Sequence, residues 1–155
     1  MTGELRDIPF TELMAYVLET DTAPTHIGCI EIFKPQRESS TRAAQRIYQD
    51  FLKSDAGEPF NAIPVFPRLK RPQWKVCEDI DLDRHVHFLT LESPASIQHL
   101  LDLVGKLHEG KMDRDVPGWE NYIIDGLPDN QCALYSKYHH AYMDGNTFAM
   151  RSERL

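Results

Sequence analysis

The residues His139-His140-Ala141-Tyr142-Met143-Asp144-Gly145 place two imidazoles, a carboxylate and a flexible backbone position within one short stretch. A histidine titrates near neutral pH, so it suits a general base that takes the proton from a hydroxyl nucleophile. An aspartate four positions on can turn back to fix the ring's tautomer, or it can bind an arginine elsewhere and hold the loop. Glycine directly after it permits a tight turn and leaves open space where a substrate must pass. The same residues admit a metal site, since two imidazoles and a carboxylate suit zinc or iron. Adjacent histidines on a strand point to opposite faces, however, so both reach one ion only where the strand breaks. They also admit a purely structural strand end.

These residues need a scaffold, and the apolar spacing supplies one. Phe10, Leu13, Met14, Val17 and Leu18 form a helical stripe over 9–20. His26 to Lys34 is rich in β-branched residues and reads as a strand ended by Pro35. A second helix starts after Gln36–Ser40, capped by Ser40 or Thr41, with the stripe Ala44, Ile47, Tyr48, Phe51 and Leu52. Residues 55–67 read as loop, followed by short strands at Arg68–Arg71, Trp74–Glu78 and His85–Leu91. A third helix is predicted with Ser93 as cap, Pro94 in its first turn and Gly110 after its end, burying Ile97, Leu100, Leu101, Val104 and Leu107. Trp119–Asp125 and Gln131–Tyr138, joined by Gly-Leu-Pro-Asp-Asn, read as a hairpin. It delivers His139 at the end of its second strand. A last helix is expected from about Asn146 to Leu155. The order is that of a mixed α/β (α+β) domain with antiparallel pairing near its end.

Composition bounds the partners. The 155 residues suit one domain, and 17 Lys+Arg against 24 Asp+Glu give a net charge of −7. That balance argues against nucleic-acid binding, which needs a basic stripe to displace counterions. No apolar run approaches the roughly 18 residues that span a bilayer. The N-terminus lacks the basic and apolar regions of a secretory signal, which points to the cytoplasm. Cys29, Cys77 and Cys132 are odd in number and far apart, fitting small apolar residues in a reducing compartment.

Other residues have rival readings. His85 and His87 alternate on the predicted strand, so their rings share a face, as a metal pair, a substrate contact or a polar face beneath a loop. Arg68, Lys70 and Arg71 form a local basic cluster that suits anionic phospholipid, another phosphate-bearing ligand or a solvated edge. The charges of Lys106–His108 and Arg151–Arg154 read as ordinary helix faces. Trp74 and Trp119 read as core anchors.

HHxxxDG after an apolar strand is the signature of the CoA-dependent acyltransferase superfamily, which also holds the condensation domains of peptide synthetases. The chain resembles the N-terminal part of the bacterial wax ester synthase/acyl-CoA:diacylglycerol acyltransferase family. Matching pieces are the early helix with Glu19, then PTHIGCIEIF, FPRLKRP, WKVCEDIDLDRHVHF, the Leu-rich helix, MDRDVPGWENYIIDGL and ALYSKYHHAYMDG. They run in family order from about Phe10. The resemblance implies the N-terminal half of a CoA-dependent acyltransferase-like (chloramphenicol acetyltransferase-like) fold, a mixed sheet with flanking helices. It implies an esterification in which His140 deprotonates a long-chain alcohol or a diacylglycerol, and the oxygen attacks a fatty acyl-CoA. Under the resemblance His139 shapes the site, Asp144 holds its geometry through a salt bridge and Gly145 keeps the passage open. Acyl-CoA is then a co-substrate, with no bound cofactor, metal or covalent acyl-enzyme expected. Peripheral association with the inner membrane or lipid inclusions follows from such substrates.

Two departures stand out. The family usually carries Pro-Leu-Trp where this chain has Pro117-Gly118-Trp119, and family members are much longer than 155 residues. The chain is therefore expected to be an N-terminal half, completed by a C-terminal half or a partner chain. Rival functions are a non-catalytic binding or assembly module and a condensation-type acyltransferase acting on non-lipid acceptors. Turnover by the purified chain separates the first rival, and exchanging alcohols for amines separates the second.

Overall fold

In the computed structural model, which describes residues 4–143, seven strands and three α-helices alternate along the chain. They are β1 (Leu5–Asp7), α1 (Phe10–Leu18), β2 (His26–Phe33), α2 (Ser40–Lys53), β3 (Ala62–Val65), β4 (Gln73–Val76), β5 (Val86–Thr90), α3 (Ile97–His108), β6 (Trp119–Leu127) and β7 (Gln131–His139). The larger sheet has the order β2-β7-β6-β5, antiparallel except for the parallel β5–β6 pair, whose crossover is α3. The smaller sheet, β1-β4-β3, is antiparallel throughout.

Strand periodicity splits the core in two. Cys132 and Leu134 of β7, with Trp119 and Ile123 of β6, pack with Ala43 and Ala44 of α2. Ala133 and Tyr135, with Ile124 and Leu127, pack with Leu100 and Val104 of α3. β7 is central in its sheet and buried on both faces, so the strand that ends at His139 is held from both sides.

The predicted hairpin forms, with both strands longer than expected, and β2 ends before Pro35 as expected. Both helix caps lie earlier or later than the sequence suggests. Ser39, not Ser40 or Thr41, accepts from the Arg42 N–H, and Ser96, not Ser93, accepts from the His99 N–H. Each is the residue whose side-chain oxygen can reach forward three positions to an orphan amide, and Pro94 therefore precedes α3 rather than lying in its first turn. Within α3 the buried line is Leu100 and Val104, with Leu103 and Leu107 partly buried, while Ile97 and Leu101 lie outward.

Three expectations are corrected. The segment 55–67 contains strand β3, which tolerates Pro64 because β3 is an edge strand. Arg68–Arg71 is a turn between Pro67 and Pro72 rather than a strand, while β4 begins one residue before the predicted Trp74–Glu78 and ends at Val76, and β5 falls within the predicted His85–Leu91. Three residues of the α1 stripe face outward, Phe10 75% and Val17 and Leu18 each 63% exposed, while Leu13 packs partly buried against the core. α1 docks instead through buried Tyr16 and through Glu12, which accepts the Trp74 indole N–H at 2.8 Å. These polar handles need partners once buried, and they outweigh the stripe. β1 carries no strong sequence signal and forms by pairing with β4. The helix expected from Asn146 lies outside the described residues.

The C-terminus of α3 is held by side chains from the sheet. Lys137 donates to the Leu107 carbonyl at 3.0 Å, and His26 Nε2 donates to the His108 carbonyl at 2.7 Å. At the hairpin tip, Asn130 sits at φ 58°. Its amide donates to Pro35 O (3.2 Å) and Glu38 O (3.1 Å), and its Oδ1 accepts the Ser40 N–H (2.8 Å). One residue thus joins the β6–β7 turn to the start of α2. Asn130→Ala removes three hydrogen bonds and leaves alanine in a left-handed conformation. The expected loss is about 1–2 kcal/mol, with discount for exposure. Urea denaturation checks it, and a loss below about 0.5 kcal/mol would contradict the role.

Candidate active site

β7 ends at His139, and the two histidines part there. The His139 N–H donates to Gly118 O at 2.8 Å, and its carbonyl accepts the Tyr142 N–H at 2.9 Å, closing a turn. The His140 N–H donates to Thr25 O at 2.9 Å, prolonging the β2–β7 pairing. His139 is 2% exposed, whereas His140 is exposed to solvent. Asp144 and Gly145 lie outside the described residues.

The hydrogen bonds of His139 define its tautomer. Its Nδ1 accepts the Ala141 N–H at 3.2 Å, so that nitrogen carries no proton. Nε2 carries it and lies 3.3 Å from Thr25 Oγ1 and 3.5 Å from Glu19 Oε1. The Thr25 hydroxyl donates to Ala15 O at 2.8 Å, leaving Oγ1 free to accept from the ring. The ring stacks on Tyr16 with centroids 4.1 Å apart. Burial lowers the His139 pKa to about 4 despite the Glu19 charge, which acts in the opposite sense. Both nitrogens are therefore engaged in a ring that stays neutral.

Glu19 follows α1 and has a side chain with no exposure to solvent. Burial alone would raise its carboxyl pKa. The Arg114 hydrogen bond and charge at 2.7 Å and the Thr25 N–H at 3.4 Å outweigh that and hold it below the usual carboxylate range. Arg114 also sits over the rings of Tyr16 (5.1 Å) and Phe66 (5.6 Å). Glu19 entered the sequence reading only as part of a resemblance, and Tyr16, Thr25 and Arg114 carried no assigned role. Their only local signals are a carboxylate just beyond an apolar helix and an arginine between two aspartates.

The other candidates disperse. His85 precedes β5 and stacks on Trp119, donating from Nδ1 to the Trp119 carbonyl at 2.7 Å. His87 stacks on Tyr122. Trp119 and Tyr122 point to opposite faces of β6, so the two imidazoles do not share a face and cannot act as a pair. Among the described residues no three His, Cys, Asp or Glu side chains converge as metal ligands. Arg68, Lys70 and Arg71 are exposed in the β3–β4 turn beside Leu69, which is 96% exposed. Trp74 and Trp119 are core anchors as expected, and the cysteines are free and at least half-buried, their thiols pushed up by burial. No helix among the described residues is long and apolar enough to cross a membrane.

A mixed sheet with flanking helices of this topology is the fold shared with CoA-dependent acyltransferase-like proteins. The starter condensation domain of the rhizomide synthetase, solved with C8-CoA, shares it with TM-score 0.66 at 16% identity, over 97% of this chain and 34% of that one. The profile of the wax ester synthase/diacylglycerol acyltransferase catalytic domain matches residues 10–151, and the chain belongs to that family. The wax ester synthase/diacylglycerol acyltransferase of Marinobacter aquaeolei VT8 superposes with TM-score 0.87 at 31% identity, covering 97% of this chain and 36% of that one. A Mycobacterium tuberculosis relative named for diacylglycerol O-acyltransferase activity, tgs2, is 32% identical over 135 residues, 85% of this chain. The chain spans 30% of that relative's length.

Burial lowers the pKa of His139 as it does those of His26, His85 and His108. Unfolded histidines protonate below about pH 6.5 while these resist, so the unfolded state binds more protons and stability falls as pH drops. For His139 the window runs from about 6.5 down to about 4. Replacing His139 by Asn should flatten the pH dependence of stability there by up to about 1.4 kcal/mol per pH unit. Urea titrations at several pH values check this, and an unchanged slope would contradict a neutral His139.

Proposed function

We propose that this chain is the N-terminal, base-bearing half of an O-acyltransferase that joins a long-chain fatty acyl group from acyl-CoA to a fatty alcohol or a diacylglycerol. The observation that carries the reading is the division between the histidines. His139 has both ring nitrogens engaged and is buried, while His140 projects to solvent from the same turn. His140 takes the proton of the acceptor hydroxyl as its oxygen bonds to the thioester carbonyl carbon. Collapse of the tetrahedral intermediate breaks the C–S bond, and the CoA thiolate receives the proton. The products are a wax ester or triacylglycerol plus CoA.

In this reading Asp144 holds the loop by a salt bridge, Gly145 keeps the passage open, and His139 shapes the turn. The remaining wall of the site comes from a C-terminal half or a partner chain, since the chain spans 30% of the tgs2 relative. The exposed Arg68, Lys70 and Arg71 cluster supplies positive charge for CoA phosphates or anionic phospholipid, consistent with peripheral association at a membrane or lipid inclusion.

His140→Ala in the complete gene product should lower thiol release from palmitoyl-CoA with hexadecanol or a diacylglycerol by about 10²–10⁴-fold, the usual share of a general base. Activity within about twofold of the parent would defeat the assignment. Amine acceptors should give no product.

A further inference from the structure

Gly118 is a glycine for reasons of space. Its φ lies outside the left-handed region, so its backbone accepts any residue. A Cβ built there would lie 2.5 Å from Tyr142 Cε2, 3.0 Å from Tyr142 Cδ2 and 3.0 Å from His139 Cβ. The Tyr142 ring cannot swing aside easily. It is 5% exposed, its hydroxyl donates to Ala62 O at 2.8 Å, and it packs edge-on against Trp74 with centroids 4.8 Å apart. The Tyr142 N–H is bonded to His139 O, and Gly118 O receives the His139 N–H, so residue 118 touches both ends of the turn that carries His140.

We propose that residues 118 and 142 form a size-matched positioning pair that sets the stance of His140, with Tyr142 filling the volume that Gly118 leaves empty. This also accounts for Pro117-Gly118-Trp119 in place of Pro-Leu-Trp, since bulk at position 118 and a tyrosine ring at 142 exclude each other. Any side chain at 118 pushes on His139 or Tyr142, the residues flanking His140 and Ala141 in the turn. Neither residue of the pair touches a reacting atom. They act through the placement of His140, and the inference rests on His140 being the base.

The test uses Gly118→Ala, Tyr142→Ala and the double variant in the complete gene product, assayed with palmitoyl-CoA and hexadecanol. A displacement of the base by about 1 Å costs about 100-fold. Gly118→Ala should therefore lose about 100-fold in kcat, with KM for palmitoyl-CoA within about twofold. The double variant should recover at least about tenfold over Gly118→Ala, a coupling expected only for residues in contact. Melting temperatures measured alongside separate activity from folding. Gly118→Ala with the parent's kcat per folded molecule would overturn the pair, as would a double variant no more active than Gly118→Ala. If Gly118→Ala does not accumulate, a soluble and active double variant supports the pair and an insoluble one overturns it. His140→Ala, run beside them, keeps the two ideas apart. Full activity there removes the base assignment, whereas an inactive His140→Ala with a fully active Gly118→Ala removes only the positioning pair.

Discussion

A carboxylate stripped of water must find a cation or give up its charge, and Glu19 is fully buried. Its partners come from distant parts of the chain: Arg114, 95 residues on, lies in the segment before β6, and His139 ends β7. The pairing therefore draws α1, the approach to β6 and the end of β7 to one point, and His140 stands one residue beyond it. The orientation of α1 follows from the same demand. Glu19 and Tyr16 turn toward His139, Glu12 turns toward Trp74, and the apolar residues Phe10, Val17 and Leu18 are left outward.

The larger sheet converts that anchor into a rigid platform. Alternate residues of β7 face α2 and α3, so each face of the strand is fastened to a separate core. His139 lies opposite His26 in the β2–β7 register. His26 and Lys137 in turn hold the last carbonyls of α3. Polar side chains thus replace apolar packing toward the end of the strand, each with a stated partner. The residue that projects beyond them, His140, inherits its position from backbone bonds to Thr25 and from the turn closed by Tyr142.

Much of this was legible in local pattern. The hairpin, β2 and the existence of α2 and α3 follow from alternation, helical spacing and turn residues, which act over a few positions. Cap positions were missed because Ser39/Ser40 and Ser93/Ser96 are equivalent in type, and only the path of the backbone decides which oxygen reaches an amide. The outward face of α1 was misread because a helical stripe states that a face is apolar, not what meets it. His85 and His87 appeared paired because strand parity was extended to His85, one residue before β5 begins. For the site, residue chemistry identified His139, His140 and Asp144 as a group, and family resemblance singled out His140. The Glu19–Arg114–His139 linkage was beyond local reading, since ion pairs between residues about 100 positions apart leave no periodic trace. It nonetheless supplies the physical reason for the asymmetry, by engaging one imidazole and leaving its neighbour exposed.

The central claim is that His139 is a neutral, buried anchor with its proton on Nε2, the arrangement on which the proposed role of the adjacent ring as base rests. Nitrogen-15 NMR of histidine-labelled protein, titrated from pH 7.5 to about 5 and assigned with single-residue variants, reads tautomer and charge directly. The account predicts that His139 keeps the Nε2–H tautomer and stays uncharged throughout that range. A His139 ring that protonates near pH 6.5, or that carries its neutral proton on Nδ1, would contradict it.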